Sequence, residues 1–143
     1  MRQFEDISVG ETDDFGSYDV TAEEIVEFAE QYDPQPFHMD PEAAAETPFG
    51  GLVASGWHTA AMTMRLVVTN VLADIATRGA LGVDDLRWRS PVRPRQTLTV
   101  ETEVLAKDDW DESTGKVAVE ITTLADGEVS LSMVGLVLVE RRD

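Results

Sequence analysis

Ser55-Gly-Trp-His-Thr-Ala-Ala-Met-Thr-Met-Arg-Leu-Val-Val-Thr-Asn-Val-Leu-Ala-Asp-Ile-Ala-Thr77 carries the longest helical period in the chain. Trp57, Ala60, Ala61, Met64, Val67, Val68, Val71, Leu72 and Ile75 fall on one wide apolar face, which Met62 and Leu66 extend. A helix apolar over so much of its circumference is normally enclosed by other structure. The spacing predicts a helix from Ser55 or Gly56 to about Thr77. Arg78-Gly79 supplies its stop, with a cation beside the negative end of the helix dipole.

Downstream the apolar period changes from 3.6 to 2. Leu81 to Trp88 reads as a strand, broken by Pro91 and Pro94. Leu98, Val100 and Val104 alternate with Thr97, Thr99, Glu101 and Glu103, and Val117, Val119 and Ile121 alternate with Ala118, Glu120 and Thr122. Residues 108–115 form a polar loop, and Asp126-Gly127 is a hairpin signal. Val129 to Val139 is a long strand with Gly135 as a candidate bulge. Consecutive strands joined by short turns pair antiparallel. Upstream, residues 4–20 with Gly10 and Gly16 predict a strand, a turn and a second strand ending at Val20. Thr21 and Glu24 form a capping box for a helix burying Ile25, Phe28, Ala29 and Tyr32. Asp33-Pro34 ends it, because a residue before proline is pushed out of the helical region. Pro41–Glu46 predicts a short helix, and residues 47–51 a loop. The expected class is α+β, a single domain over 1–143 with one curved antiparallel sheet lying against one long helix.

The chain has 143 residues and no cysteine, which excludes disulfides, thiolate catalysis and cysteine-based zinc sites. Its net charge of −17, from 28 acidic against 11 basic residues, repels phosphate backbones and anionic membranes. Nucleic acid and membrane are therefore not expected partners. The N-terminal Met1-Arg-Gln-Phe-Glu-Asp6 has no apolar leader core, and the expected location is the cytoplasm. Such charge density also fits a high-salt cytoplasm, where screening makes it tolerable. Loss of folded signal on transfer to dilute buffer is the expected sign of that adaptation.

Asp33 and His38 lie five residues apart on a segment stiffened by Pro34 and Pro36. A carboxylate beside an imidazole can orient a water and move its proton, since histidine titrates near neutrality. Set against this is a plain turn aspartate with a surface histidine. Phe49-Gly-Gly51 and Ser55-Gly-Trp57 let a ligand or another backbone approach closely. A free N–H at a helix start can stabilise negative charge developing on a carbonyl oxygen. The competing explanation is tight packing of helix on sheet. Val53 stands where a serine-hydrolase elbow needs glycine, so Ser55 is not placed as a nucleophile. A metal site from His38, Asp40 and His58 lacks zinc-type spacing, and no nucleotide-binding glycine motif occurs. Arg87, Arg89, Arg93 and Arg95 cluster in this acidic chain. They suit either a phosphate-bearing ligand or ion pairs with neighbouring acids.

The stretch Asp33-Pro-Gln-Pro-Phe-His-Met-Asp-Pro-Glu-Ala-Ala44 resembles the signature of MaoC-like (R)-specific enoyl-CoA hydratases, D-x-N-P-[LIV]-H-x5-[AS]. Asp33, Pro36, His38 and Ala44 stand at its fixed positions, and Phe49 to Gly56 looks like the family's lead into its central helix. The resemblance implies a hot-dog fold, a homodimer, a CoA thioester as small-molecule substrate and no separate cofactor. It implies Asp33 and His38 as the acid/base pair adding water across a 2-enoyl double bond, with Gly56 N–H on the thioester oxygen. Gln35, Phe37, Gly51, Ser55, Trp57 and Arg93 are then the candidate substrate-binding residues. Gln35 replaces the signature's asparagine, Phe37 its aliphatic residue, and Tyr32 the small residue usual before the aspartate. These changes point to a reshaped pocket. Two other functions fit the same sequence, a hot-dog acyl-CoA thioesterase and a non-catalytic acyl-CoA-binding subunit.

Overall fold

The computed structural model describes residues 1–142. Five strands, β1 (Thr12–Asp19), β2 (Thr77–Trp88), β3 (Thr97–Asp109), β4 (Thr114–Ala125) and β5 (Glu128–Glu140), form one sheet in the order β1-β3-β4-β5-β2. Every pairing is antiparallel. The β4–β5 turn is Asp126-Gly127, both with positive φ, whose twist matches that of the strands it joins. The alternation along β3 buries Leu98, Val100, Thr102 and Val104 and exposes the residues between them. Four helices complete the chain: α1 (Ala22–Tyr32), α2 (Pro36–Met39), α3 (Pro41–Ala45) and α4 (Gly56–Asn70). The sheet curls about α4, packing Val100, Ile121, Leu131 and Met133 against Met62, Leu66 and Val67. This is the hot-dog fold that the resemblance implied.

Several details differ from the sequence reading. Helix α4 ends at Asn70, not near Thr77. Asn70 Nδ2 and Thr69 Oγ1 donate to the carbonyls of Leu66 and Arg65, and Val71 leaves helical geometry. The following segment is drawn into a parallel bridge between Ile75 and Arg2, so β2 starts at Thr77 and Arg78-Gly79 lies within a strand. Two apolar patterns were merged here because valine and leucine serve both periods. No first strand forms before β1; residues Phe4–Asp6 make a 3-10 turn instead, with Phe4 buried. Gly135 sits in regular register opposite Val83 and Val119, so it marks no bulge. The buried face of α4 is also rotated from the expected one. His58, Thr59, Met62, Thr63, Leu66 and Val67 face inward, whereas Trp57, Ala61, Met64 and Val68 are exposed. Threonine and histidine hid that face from a hydropathy pattern.

Candidate active site

Two short structures place the acid and the imidazole. Thr21 caps α1 by accepting from Glu24 N–H, and the helix ends at Asp33, whose φ of −152° turns the chain outward ahead of Pro34. Pro36 then opens α2, a single helical turn that carries His38 inward. The motif is thus partly helical. His38 is buried, and its Nδ1 lies 2.7 Å from the carbonyl oxygen of Val53. A carbonyl only accepts, so Nδ1 carries the proton and Nε2 is free to act as a base. Nε2 stands 3.4 Å from Asp33 Oδ2.

Asp33 is held on both oxygens. Ser55 Oγ donates to Oδ2 at 2.7 Å, and Gln35 Nε2 donates to Oδ1 at 2.6 Å. These bonds, Ser55 first, hold its carboxyl below the usual carboxylate range, with smaller help from His38. Asp33 is therefore ionised at neutral pH.

A cleft of about 350 Å³ opens beside His38, lined by Phe37, Phe49 and Trp88. Gly56 and Thr59, from the first turn of α4, also line it. As the first residue of that helix, Gly56 has an N–H with no acceptor inside the helix. Trp88 Nε1 donates to Gly56 O at 2.8 Å, and the indole lies so close that a Cβ at position 56 would fall 2.3 Å from it. Here the glycine is required by close approach.

Not every expected residue reaches the cleft. Ser55 is fully buried and bonded to Asp33, so it cannot touch substrate. Gln35 folds back on Asp33, and Gly51 packs near Arg93 instead of lining the wall. Trp57, 57% exposed, stands edge-on to Trp88 outside the lining. Tyr32, expected in the buried stripe, is 70% exposed and rests on Phe28. Arg93 Nη2 donates to Phe49 O at 2.7 Å, at the lip. Arg89, which the sequence offered only as one of a cluster, lines the cleft itself. Among the described residues, Arg87, Arg89, Arg93 and Arg95 make no ion pair with an acid, against one of the two uses expected of them. Trp88 and Thr59 carry no sequence signal, because one ends a strand and the other is a polar residue in the first turn of a helix. His38, Asp40 and His58 do not converge; Asp40 instead caps α3 through Glu42 N–H.

His58 serves the scaffold. Its ring stacks on Phe28 at 4.8 Å, and its Nε2 lies 4.0 Å from Glu24, whose carboxylate accepts from the Tyr18 hydroxyl. Burial holds the imidazole below its ordinary value of 6.5, opposed only by Glu24. Below that ordinary value the unfolded chain therefore binds more protons at this position than the folded one. Its contribution to stability is complete above about pH 6.5 and declines as pH falls. Thermal melts from pH 8 to pH 5 are expected to show this decline, with a shallower slope in His58→Leu. An equal slope in both proteins would contradict the assignment.

The fold thus sets the ionised carboxylate of Asp33 beside His38, and brings His38 and the helix-start residue Gly56 to one cleft, groups suited to acid–base chemistry. The chain belongs to the MaoC-like domain family of hydratases and dehydratases, whose model matches residues 6–126. It is similar to the MaoC-like dehydratase of Rhodospirillum rubrum, with 42% identity, a TM-score of 0.88, and coverage of 100% of this chain and 99% of that one. It is 33% identical to the 3-hydroxybutyryl-CoA dehydratase of Methylorubrum extorquens, over 71% of this chain and 62% of that enzyme. An (R)-hydratase from A. caviae shares the fold at 24% identity, with a TM-score of 0.74 over 92% of this chain and 96% of that one. Among the described residues, no helix is long and apolar enough to cross a membrane.

Proposed function

We propose that the protein is a hydro-lyase that adds water to, or removes it from, a 2-enoyl CoA thioester with (R) stereochemistry. The observation that carries this is the placing of ionised Asp33 3.4 Å from Nε2 of His38, whose Nδ1 is turned to the Val53 carbonyl, with Gly56 on the same cleft as His38. In the hydration direction a water donates one hydrogen bond to Asp33 and one to His38 Nε2. Its oxygen attacks the β-carbon while Nε2 takes the proton, and the electron pair moves onto the thioester oxygen. Gly56 N–H stabilises that oxygen as charge develops. Nε2 then returns the proton to the α-carbon, so no atom is left over and Asp33 stays ionised throughout. Dehydration is the same path reversed. The related 3-hydroxybutyryl-CoA dehydratase supports a short 3-hydroxyacyl partner for this exchange.

Arg89, which lines the cleft, and Arg93, bonded to the carbonyl of cleft-lining Phe49, have no acidic partner among the described residues and are available to meet the phosphates of the CoA carrier. The unit is proposed to be a homodimer formed along β2. That strand is an unpaired edge of twelve residues with Leu81 and Val83 exposed. Its two arginines balance its two aspartates, which leaves it neutral in a chain of −17. A single-chain mass by sedimentation would remove the dimer from the account. Turnover of crotonyl-CoA to (R)-3-hydroxybutyryl-CoA, read by chiral separation of the hydrolysed product, tests the reaction. Formation of the (S) product would contradict its stereochemistry.

A further inference from the structure

Asp84 on β2 pairs with Val134 on β5, and Arg87 pairs with Ser132, so Asp85 and Leu86 together stand opposite Met133 alone. One residue on β2 is extra, which makes a β-bulge. Asp85 has a φ of 54°, the left-handed conformation that the first residue of such a bulge can take. Aspartate enters that region more readily than most residues with a Cβ, and β-branched residues resist it.

The bulge decides which face of β2 meets α4. On β5, Leu131 and Met133 are buried in the core around α4, and directly opposed residues share a face. Trp88 is the partner of Leu131, and Leu86 packs on the same core. Regular alternation counted on from Asp84 would set Arg87 opposite Leu131 and turn Trp88 to the outer face. With the extra residue, Arg87 meets Ser132 outside and Trp88 comes to lie over the start of α4. There its Nε1 donates to Gly56 O at 2.8 Å, and Trp57 meets its ring edge-on with centroids 5.1 Å apart.

We infer that the Asp85 bulge makes Trp88 a positioning residue, which holds Gly56 in place for the reaction from an edge strand. The inference rests on the hydro-lyase function proposed above, with Gly56 N–H on the thioester oxygen. Glycine has no side chain to anchor it, and the N–H groups of a helix's first turn lack intrahelical bonds. Restraint on Gly56 therefore comes from outside α4, through the bond to its carbonyl and the indole pressed against it. A donor to developing charge acts from a fixed position, and a displacement of about 1 Å can cost about 100-fold. Asp85 itself is exposed and does not line the cleft, so it acts only through the register it sets.

The test compares kcat, KM and melting temperature of the full chain on crotonyl-CoA. Trp88→Phe keeps an aromatic ring over Gly56 and loses the N–H. Its kcat is expected to fall about 10-fold, within the loss a small misplacement causes, with KM within about 2-fold of wild type. Asp85→Gly keeps the positive φ and is expected to retain wild-type kcat. Asp85→Val opposes that φ and is expected to lower kcat at least as far as Trp88→Phe. Adding Trp88→Phe to Asp85→Val should then cost almost nothing more, because both act through one ring. Wild-type kcat in Trp88→Phe would overturn the inference. So would a loss confined to KM, the sign of an indole that is only a wall of the cleft, or Asp85→Val and Trp88→Phe losses that multiply. Should Asp85→Val fail to fold, Asp85→Ala takes its place with the same expected and overturning results. Absence of turnover in wild type would instead count against the hydro-lyase function itself, which separates the two failures.

Discussion

Asp33→Asn is expected to lower kcat on a short enoyl-CoA by about 1,000-fold, within the range general acid–base groups contribute, while leaving KM nearly unchanged. The carboxylate accepts hydrogen bonds on both oxygens, from Ser55 on one and Gln35 on the other. An asparagine can accept on only one side. Its NH2 replaces one of those acceptors, so either the Ser55 hydroxyl or the Gln35 amide must turn to keep a bond. The substitution also removes the negative charge 3.4 Å from His38 Nε2, which stabilises the imidazolium formed when the water proton is taken. The cleft lining at Phe37, Phe49 and Trp88 is untouched, so binding should persist. Initial rates with a matched melting temperature provide the check, and a loss smaller than about 10-fold would contradict the role given to Asp33.

The second large effect is expected at Gly56. An added Cβ lands 2.3 Å from the Trp88 ring, far inside van der Waals contact. The indole cannot give way freely, because its N–H is bonded to the Gly56 carbonyl. Gly56→Ala should therefore destabilise the fold by about 1–3 kcal/mol, as overpacked sites do. It should also lower kcat by about 100-fold, the scale of losing one oxyanion donor, since α4 must shift at the residue whose N–H we propose meets the developing charge. Combining it with Trp88→Ala removes the clash. The double variant is expected to melt close to Trp88→Ala alone, a non-additivity that marks direct contact. Additive losses would mean that the indole does not constrain the helix start.

The closeness of Asp33 and His38 was legible because it is local. Asp33, Pro34, Pro36 and His38 form one short segment, and proline restricts the backbone whatever the rest of the chain does. The hairpins of β3, β4 and β5 were legible for the same reason, since alternation and Asp-Gly act over a few residues. What stayed hidden depends on contacts across the fold. Ser55 looked like a residue in the substrate path, yet it is a buried donor to a carboxylate twenty-two positions away. Gln35, read as a pocket-altering departure from asparagine, still presents an amide to Asp33. Trp88 acquires its place over Gly56 only when β2 is folded back along α4, and no pattern around residue 88 announces that. The inward face of α4 was misjudged because Thr59, Thr63 and His58 are buried by hydrogen bonding and stacking and not by hydropathy.

The most direct measurement follows crotonyl-CoA and the wild-type chain by enoyl-thioester absorbance and by free thiol in the same reaction. A hydro-lyase acting through Asp33 and His38 removes the absorbance without releasing thiol, and that is the expected result. Thiol released in step with substrate loss would make the protein a thioesterase and contradict the central claim. A folded wild type that binds crotonyl-CoA but changes neither signal would contradict it as well, and would leave a protein that only holds its acyl thioester.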